Sequence, residues 1–178
     1  MKDVLTGKLV RLSAFDPEEM SKSWPRWILN SEYFRLLFSS ARPLYSPKAE
    51  LKWMEEEVGE MSPANYSFGI RTLAEDKLIG ELGLEVVDWS GREAFVGLGI
   101  GESEYWSKGY GTDLLQTFVR YLFTALPLDR VYLKTLDWNH RAQRCFEKAG
   151  FKRYGMSRRG EFNFVLMEIF KKDLDATQ

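Results

Sequence analysis

The 178-residue sequence has one cysteine, one histidine and charges that almost cancel, with 25 Lys and Arg against 26 Asp and Glu. The single cysteine, Cys145, excludes an internal disulfide and favours a cytoplasmic location. His140 has no serine or cysteine context of the kind a histidine-dependent triad needs. The balanced charge argues against a dedicated nucleic-acid-binding protein, since such proteins are usually clearly basic.

Long apolar runs are also missing. No stretch approaches the roughly 20 residues needed to cross a bilayer, so we expect no membrane partner. The segment Met1–Gly7 lacks the apolar core of a signal peptide. No group of side chains has metal-ligand spacing, so no metal is expected. Because no linker or low-complexity segment interrupts the chain, residues 1–178 are predicted to form one domain.

Apolar periodicity predicts an α/β fold with about seven strands and about four helices. The expected order is β-α-α-β-β-β-α-β-α-β-β, in which the second to fourth strands form an antiparallel meander. Helices are expected to begin near Asp16, Ser46, Gly111 and Asn139, and the stretch from Asp16 to Ser40 is expected to hold one or two short helices. The predicted strands are residues 7–15, 66–73, 77–89, 93–101, 130–137, 152–158 and 162–170.

The most informative segment is Val96–Thr112, in which a glycine-rich strand runs through a short turn into a strongly amphipathic helix. The first amides of a helix have no intrahelical partner, and the helix dipole makes this end positive. Gly109 and Gly111 would let an anion approach the backbone closely, because they carry no Cβ. Lys108 adds a mobile positive charge. The segment therefore predicts an anion site, most plausibly for a diphosphate.

Two other glycine motifs fit this segment poorly. Counted from Gly97, a dinucleotide-binding fingerprint would need glycine at position 102, which is Glu102. A P-loop needs Gly-Lys in that order, whereas this turn has Lys108 before Gly109. A third alternative is that Gly109 and Gly111 only punctuate the start of a helix.

Two motifs resemble the GCN5-related N-acetyltransferase (GNAT) family. Trp106-Ser107-Lys108-Gly109-Tyr110-Gly111 is similar to its Arg/Gln-x-x-Gly-x-Gly/Ala cofactor motif, with Trp106 in the Arg/Gln position. Asn139–Phe151 is similar to its Asn-x-x-Ala…Glu-Lys-x-Gly-Phe helix. The first motif resembles most closely the ribosomal-protein N-terminal acetyltransferase (RimJ/RimL-like) branch. The resemblance is weakest over residues 24–47, where the acceptor would be selected.

The resemblance implies acetyl-CoA as cosubstrate and the GNAT fold, an α/β fold with a mixed, mostly antiparallel central sheet that is splayed at the cofactor site. A backbone N–H near Gly99 would polarise the thioester carbonyl. Asn139 either only caps its helix or also contacts the cofactor. The residues implied to bind the cofactor are Leu98, Gly99, Ile100, Trp106, Ser107, Lys108, Gly109, Tyr110, Gly111, Thr112 and Asn139.

The implied reaction is direct attack of a primary amine on acetyl-CoA, the amine belonging to a peptide N-terminus or a small molecule. The base could be Glu81, Glu93, Glu85 or a water relay. Phe146 stands where many relatives carry a tyrosine acid and has no proton to give. The aromatic segment 24–38 is expected partly to line the acceptor side. The alternative function is a non-catalytic acyl-CoA-binding regulatory module, and a homodimer, common in this branch, is left open.

Overall fold

The computed structural model describes residues 4–37, 45–59 and 64–175, which contain a seven-stranded mixed sheet. All seven strands lie within three residues of their predicted bounds. The strands are β1 Val10–Ala14, β2 Asn65–Thr72, β3 Leu78–Asp88, β4 Glu93–Ile100, β5 Arg130–Leu136, β6 Lys152–Arg159 and β7 Phe162–Phe170. Their order in the sheet is β1-β2-β3-β4-β5-β7-β6, and the expected α/β class and meander are confirmed.

The described residues contain six helices rather than about four. Three lie between β1 and β2, where the predicted order had two, and one more follows β7. The stretch before Ser40 thus holds two of these helices, the larger of the two numbers expected there, whereas the helix after β7 has only five residues and too few turns to show an apolar period. The helices are α1 Pro17–Ile28, α2 Ser31–Leu37, α3 Pro47–Gly59, α4 Tyr110–Ala125, α5 His140–Lys148 and α6 Lys171–Asp175, with a 3-10 turn at Ser103–Tyr105.

Strand β1 begins three residues later than predicted, because the preceding residues hold α4 instead of pairing with β2. The backbone N–H groups of Lys8, Leu9 and Val10 donate to the carboxylate of Asp113, at distances of 2.8 to 3.2 Å. Asp113 lies in the first turn of α4, where a negative charge also complements the helix dipole. This contact fixes the start of α4 against the edge of the sheet.

The sheet is splayed between β4 and β5. Strand β4 pairs antiparallel with β3 along its whole length, from Glu93 to Ile100. Its parallel pairing with β5 covers only Glu93–Phe95, opposite Arg130–Tyr132. From Val96 to Ile100 the two strands diverge. The predicted splay is therefore present, and it exposes one edge of β4.

Two apolar clusters lie on opposite faces of β4. The larger packs the sheet against α4 and α5, and the smaller is an aromatic cluster of Met20, Trp24, Trp27, Ile28, Tyr33, Met54 and Leu78. Neighbouring residues of a strand face opposite ways. A Cβ on Gly99 would meet Tyr33 of α2, whereas Ile100 contacts the position that a Cβ on Gly111 of α4 would occupy. Helices α2 and α4 therefore approach β4 from opposite sides.

Candidate active site

A cavity of about 810 Å³ occupies the splay between β4 and β5. Its walls come from both sides of the sheet: the start of α4 and one side of α5 on one face, and α2 on the other. The strand residues that line it are Phe95–Ile100 of β4, Leu133–Leu136 of β5 and Phe164 of β7. The cavity thus opens where β4 loses its second partner.

Ten of the eleven residues predicted to bind the cofactor line this one cavity, and Lys108 does not. Lys108 is exposed on the outer side of the turn. The ten lining residues are Leu98, Gly99, Ile100, Trp106, Ser107, Gly109, Tyr110, Gly111, Thr112 and Asn139. The structure therefore brings ten of these residues to one cavity, while Lys108 is exposed and does not line it.

The turn before α4 presents backbone donors to the cavity. Gly109 is the N-cap of α4 and adopts a left-handed conformation, with φ of 91° and ψ of −11°. No side chain caps the helix, and its first amides have no intrahelical carbonyl to bind. Ser107 also has a positive φ, of 59°. Two positive φ values this close together give the backbone of the turn a concave shape, with N–H donors that suit an anion.

Trp106 stands at the Arg/Gln position of the motif that this turn resembles, and its ring stacks with an arginine from α5. Its indole Nε1–H donates to the carbonyl of Ile100 at 2.6 Å, which fixes the ring beside β4. The guanidinium of Arg141 lies 3.8 Å from the ring centroid and also pairs with Glu32 at 2.8 Å. Arg141 lines the cavity, and sequence reasoning missed it because nothing local to α5 marks it out.

Asn139 and Cys145 join the cavity through α5. The Asn139 side chain accepts from the amide of Ala142 at 3.1 Å, so the helix-cap role is present, and the residue also lines the cavity. The Cys145 thiol accepts a hydrogen bond from the Thr112 hydroxyl at 3.6 Å. Burial raises the pKa of this thiol, which keeps it protonated and makes a nucleophilic role unfavourable.

The two carboxylates predicted as bases lie in different settings. Glu93 is at the closed end of β4, where its carboxylate pairs with Arg130 at 3.1 Å, and it does not line the cavity. Glu81 on β3 lies directly opposite Gly99 in the register. It lines a smaller cavity of about 270 Å³ that shares Leu37, Gly97 and Leu98 with the larger one. Glu81 is thus next to the splay, and Glu93 is not.

Tyr33 of α2 is a site residue that sequence reasoning did not single out. It was one ring in the aromatic segment 24–38, of which Phe38 lies outside the described residues. Its side chain lines the larger cavity, yet only 4% of the residue is exposed. Burial, and next the negative charge of Glu81, raise the pKa of its phenol well above the usual value. Phe146, by contrast, is a buried cavity wall packed near Phe151.

Comparison with known proteins identifies the family. Residues 10–152 match the family described as "Acetyltransferase (GNAT) domain". The chain belongs to the GNAT acetyltransferase family.

A similar GNAT protein is the probable N-acetyltransferase YjcK of Bacillus subtilis (strain 168), with 33% identity over 95 residues. The match covers 53% of this chain and 52% of that protein. The uncharacterized N-acetyltransferase p20 of Bacillus licheniformis is 28% identical over 91 residues, 51% of each. The chain's matches thus span about half the length of these curated relatives.

Solved structures share the GNAT fold along nearly the whole chain. RimL, a ribosomal L7/L12 alpha-N-protein acetyltransferase in complex with coenzyme A, aligns with a TM-score of 0.79 at 12% identity, over 93% of this chain and 97% of that one. The spermidine N-acetyltransferase of Vibrio cholerae, in complex with CoA and spermine, aligns with a TM-score of 0.75 at 22% identity. The alignment covers 92% of this chain and 96% of that one. At these identities the likeness shows the fold alone, so the RimJ/RimL-like branch stays a prediction.

The described residues contain neither a candidate metal centre nor a candidate membrane-spanning helix. Among them, no three or more His, Cys, Asp and Glu side chains form a group that could hold a metal ion. None of the described helices has both the length and the apolar character needed to cross a membrane.

Proposed function

We propose that this protein transfers the acetyl group of acetyl-CoA to a primary amine by direct attack of the amine on the thioester. The observation that carries the proposal is the splay of β4 from β5, which opens onto the uncapped start of α4. An extended amide chain can bind along the exposed strand edge while its phosphates reach the helix amides. Acetyl-CoA has both parts, and their order along the molecule matches the order of these sites along the cavity.

The backbone would hold most of the cosubstrate. Amides of Ser107–Thr112 suit the diphosphate, and the Arg141 guanidinium, stacked on Trp106, adds a positive charge at the cavity wall. The pantetheine amides would pair with Val96–Ile100, beyond the last β4–β5 pair. A backbone N–H in that segment would polarise the thioester carbonyl, as amide donors do in oxyanion holes.

Glu81 is the base that we propose on the acceptor side. It lies opposite Gly99 and beside the paired glycines Gly83 and Gly97, and a Cβ on Gly83 would meet no atom within 4 Å. The sheet surface over Gly83 and Gly97, next to the Glu81 carboxylate, therefore has room for a substrate. A base matters because an α-amine of pKa near 8 is about one-tenth neutral at pH 7, whereas a lysine amine is only about 0.04% neutral.

The acceptor is a peptide N-terminus or a small amine in this proposal. Both classes occur among the structural neighbours: RimL is described as an alpha-N-protein acetyltransferase, and the Vibrio cholerae enzyme was solved with spermine. The pKa argument favours an α-amine, which needs less help from a base. We therefore retain the RimJ/RimL-like assignment as part of the proposal.

The rival function is a non-catalytic acyl-CoA-binding module. The observation that favours it is Phe146, a buried cavity wall with no proton for a departing thiolate. Both functions require CoA binding, and only the enzyme releases free thiol.

Two measurements test the proposal. Calorimetry of the folded protein with CoA and acetyl-CoA should detect binding of both. Thiol release from acetyl-CoA should then rise above background when peptides with free N-termini or small amines are added. No heat with either ligand would overturn the cavity assignment. Binding without thiol release across the whole panel would favour the regulatory module.

A further inference from the structure

The Tyr33 hydroxyl is a buried polar group without a hydrogen-bond partner in the described structure. The oxygen is shielded from water and lies against Gly99, so close that a Cβ there would sit 2.4 Å from it. A phenol buried in this way loses its hydrogen bonds to water and gains none in return. Buried groups left unsatisfied are uncommon, and they point to a role outside packing.

The surrounding rings hold this hydroxyl in place. Tyr33 stacks on Trp106 with ring centroids 6.4 Å apart, and it meets the edge of Trp24 at 6.5 Å. Trp106 is itself tied to the carbonyl of Ile100. The phenol is thus fixed against the splayed part of β4, on the face from which α2 approaches.

This position is close to the groups that the proposed reaction uses. Gly99 is in the segment of β4 that does not pair with β5, and it carries no side chain that would separate the hydroxyl from a thioester bound on that strand. Glu81, the proposed base, is the register partner of Gly99. The structure therefore brings a phenol, a carboxylate and the strand segment together at one point of the sheet.

The proposed reaction needs a proton at the departing sulfur, and Phe146 has none to give. We propose that Tyr33 is the catalytic residue that donates its hydroxyl proton to the leaving CoA thiolate. This inference rests on the acetyl transfer proposed above. It assigns the acid to α2, on the acceptor face of the sheet, rather than to α5.

Protons and bonds balance in this scheme. The neutral amine forms the C–N bond, and the nitrogen passes one proton to the Glu81 carboxylate. The C–S bond breaks, and the sulfur takes the Tyr33 proton. The Glu81 carboxyl then returns its proton to the Tyr33 oxygen. The net change moves one proton from the amine to CoA and leaves both side chains as they began.

The electrostatic setting of Tyr33 keeps the phenol protonated and also makes it a weaker acid. Because burial and the Glu81 charge raise the pKa of the phenol, it keeps its proton at neutral pH. The same two causes oppose a lasting phenolate. Transfer to sulfur should therefore be coupled to the return of the Glu81 proton.

The substitution Tyr33→Phe tests the proposal, because it removes one oxygen and keeps the ring. We expect kcat to fall by about 100-fold or more, the range of general acid catalysis, with KM for acetyl-CoA unchanged. The melting temperature should stay the same or rise, because an unsatisfied buried polar group is lost. The matched control is Tyr121→Phe on α4, which does not line the cavity and should leave kcat unchanged. An unchanged kcat in Tyr33→Phe would overturn the proposal.

A second variant separates chemistry from packing. Site-specific replacement of Tyr33 by a fluorinated tyrosine lowers the phenol pKa at nearly constant shape. If the hydroxyl donates its proton, kcat should change with the acidity of the phenol, while the melting temperature should equal that of the unsubstituted protein. Equal kcat values for the tyrosine and its fluorinated forms would overturn the acid role. Failure of the unsubstituted protein to release thiol would instead overturn the acetyl transfer itself.

Discussion

The two ends of β4 differ, although they belong to one eight-residue strand with a single continuous partner on one side. At Glu93–Phe95 the strand also pairs with β5, and the sheet is closed. From Val96 to Ile100 that second partner is lost, and the edge faces a cavity. The closed end holds the two halves of the sheet together, and this frees the open end to bind a ligand.

The side chains of the two ends follow this division. At the closed end Arg130 pairs with Glu93 at 3.1 Å and with Glu168 at 2.8 Å, so its charge is neutralised within the sheet. At the open end glycines replace side chains, and the Tyr33 hydroxyl has no partner in the described residues. Satisfied charges are typical of a structural region, whereas an unsatisfied donor beside bare backbone is typical of a reaction site.

The largest predicted effect separates the two glutamates. Glu81→Gln should lower kcat by about 100-fold or more, because an amide cannot accept the amine proton, and acetyl-CoA affinity should stay unchanged. Glu93→Gln should leave kcat within about twofold, since Glu93 serves an ion pair at the closed end. Initial rates of thiol release and calorimetry measure both properties. The reverse pattern, with activity lost only in Glu93→Gln, would contradict the division of β4.

The next effect concerns the backbone that we assign to the diphosphate. Gly109→Ala should weaken CoA binding at least about tenfold, because an L-residue is strained at a φ of 91° and relief of that strain would turn the first amides of α4. Its stability should fall by about 1–2 kcal/mol. Gly160→Ala, at a φ of 58° in the β6–β7 turn, is the matched control.

The control position has no atom within 4 Å of the added Cβ, so it isolates backbone strain. We expect Gly160→Ala to lower the urea midpoint and leave CoA affinity unchanged. Similar losses of affinity in both variants would mean that general destabilisation, and not the amides before α4, explains the effect.

A smaller effect belongs to the closed end. Arg130→Met should destabilise the protein by about 1–3 kcal/mol, because two carboxylates lose their shared partner. The kinetics of the folded protein should remain unchanged. Arg92→Met is the control, since its pair with Asp129 is about half exposed and should contribute about 0.5 kcal/mol or less. Urea unfolding and thiol release measure the two properties. A fall in kcat for Arg130→Met at full folding would show that the two ends are coupled.

The sequence was sufficient to predict the sheet. Each strand is marked by alternating apolar residues, and glycine or proline marks the turns between strands. Both signals depend only on residues that are close together in the sequence. The same locality explains why the sequence predicted one or two helices before Ser40 without separating α2 from α1. Helix α2 is only seven residues long, and its start depends on Asn30, whose side chain accepts from the amides of Glu32 and Tyr33. So short a segment has too few turns to show a period.

The site was predictable only where one segment forms it. The turn before α4 has its own pattern, and it lines the cavity together with the predicted residues of β4, of the start of α4 and Asn139, ten residues in all. Arg141 and Tyr33 reach the site by contacts between distant segments, with Arg141 bonded to Glu32 across 109 positions. The different settings of Glu81 and Glu93 could not be predicted from the sequence either. Their difference depends on how far β5 follows β4, which no local pattern encodes.

The smallest predicted effect uses Cys145 as a chemical reporter of the open end. Because burial raises the pKa of this thiol, a smaller fraction is thiolate at pH 8 than in a free cysteine, and iodoacetamide should alkylate it more slowly than it alkylates glutathione. The rate should keep rising with pH beyond about 8.5, where a free thiol begins to level off. Cys145 lines the cavity, so CoA should slow the reaction further.

Mass spectrometry of the labelled protein gives the alkylation rates. The control is the urea-unfolded chain, which should react like glutathione. Fast labelling that CoA does not alter would contradict the assignment of the cavity between β4 and β5 to the cosubstrate.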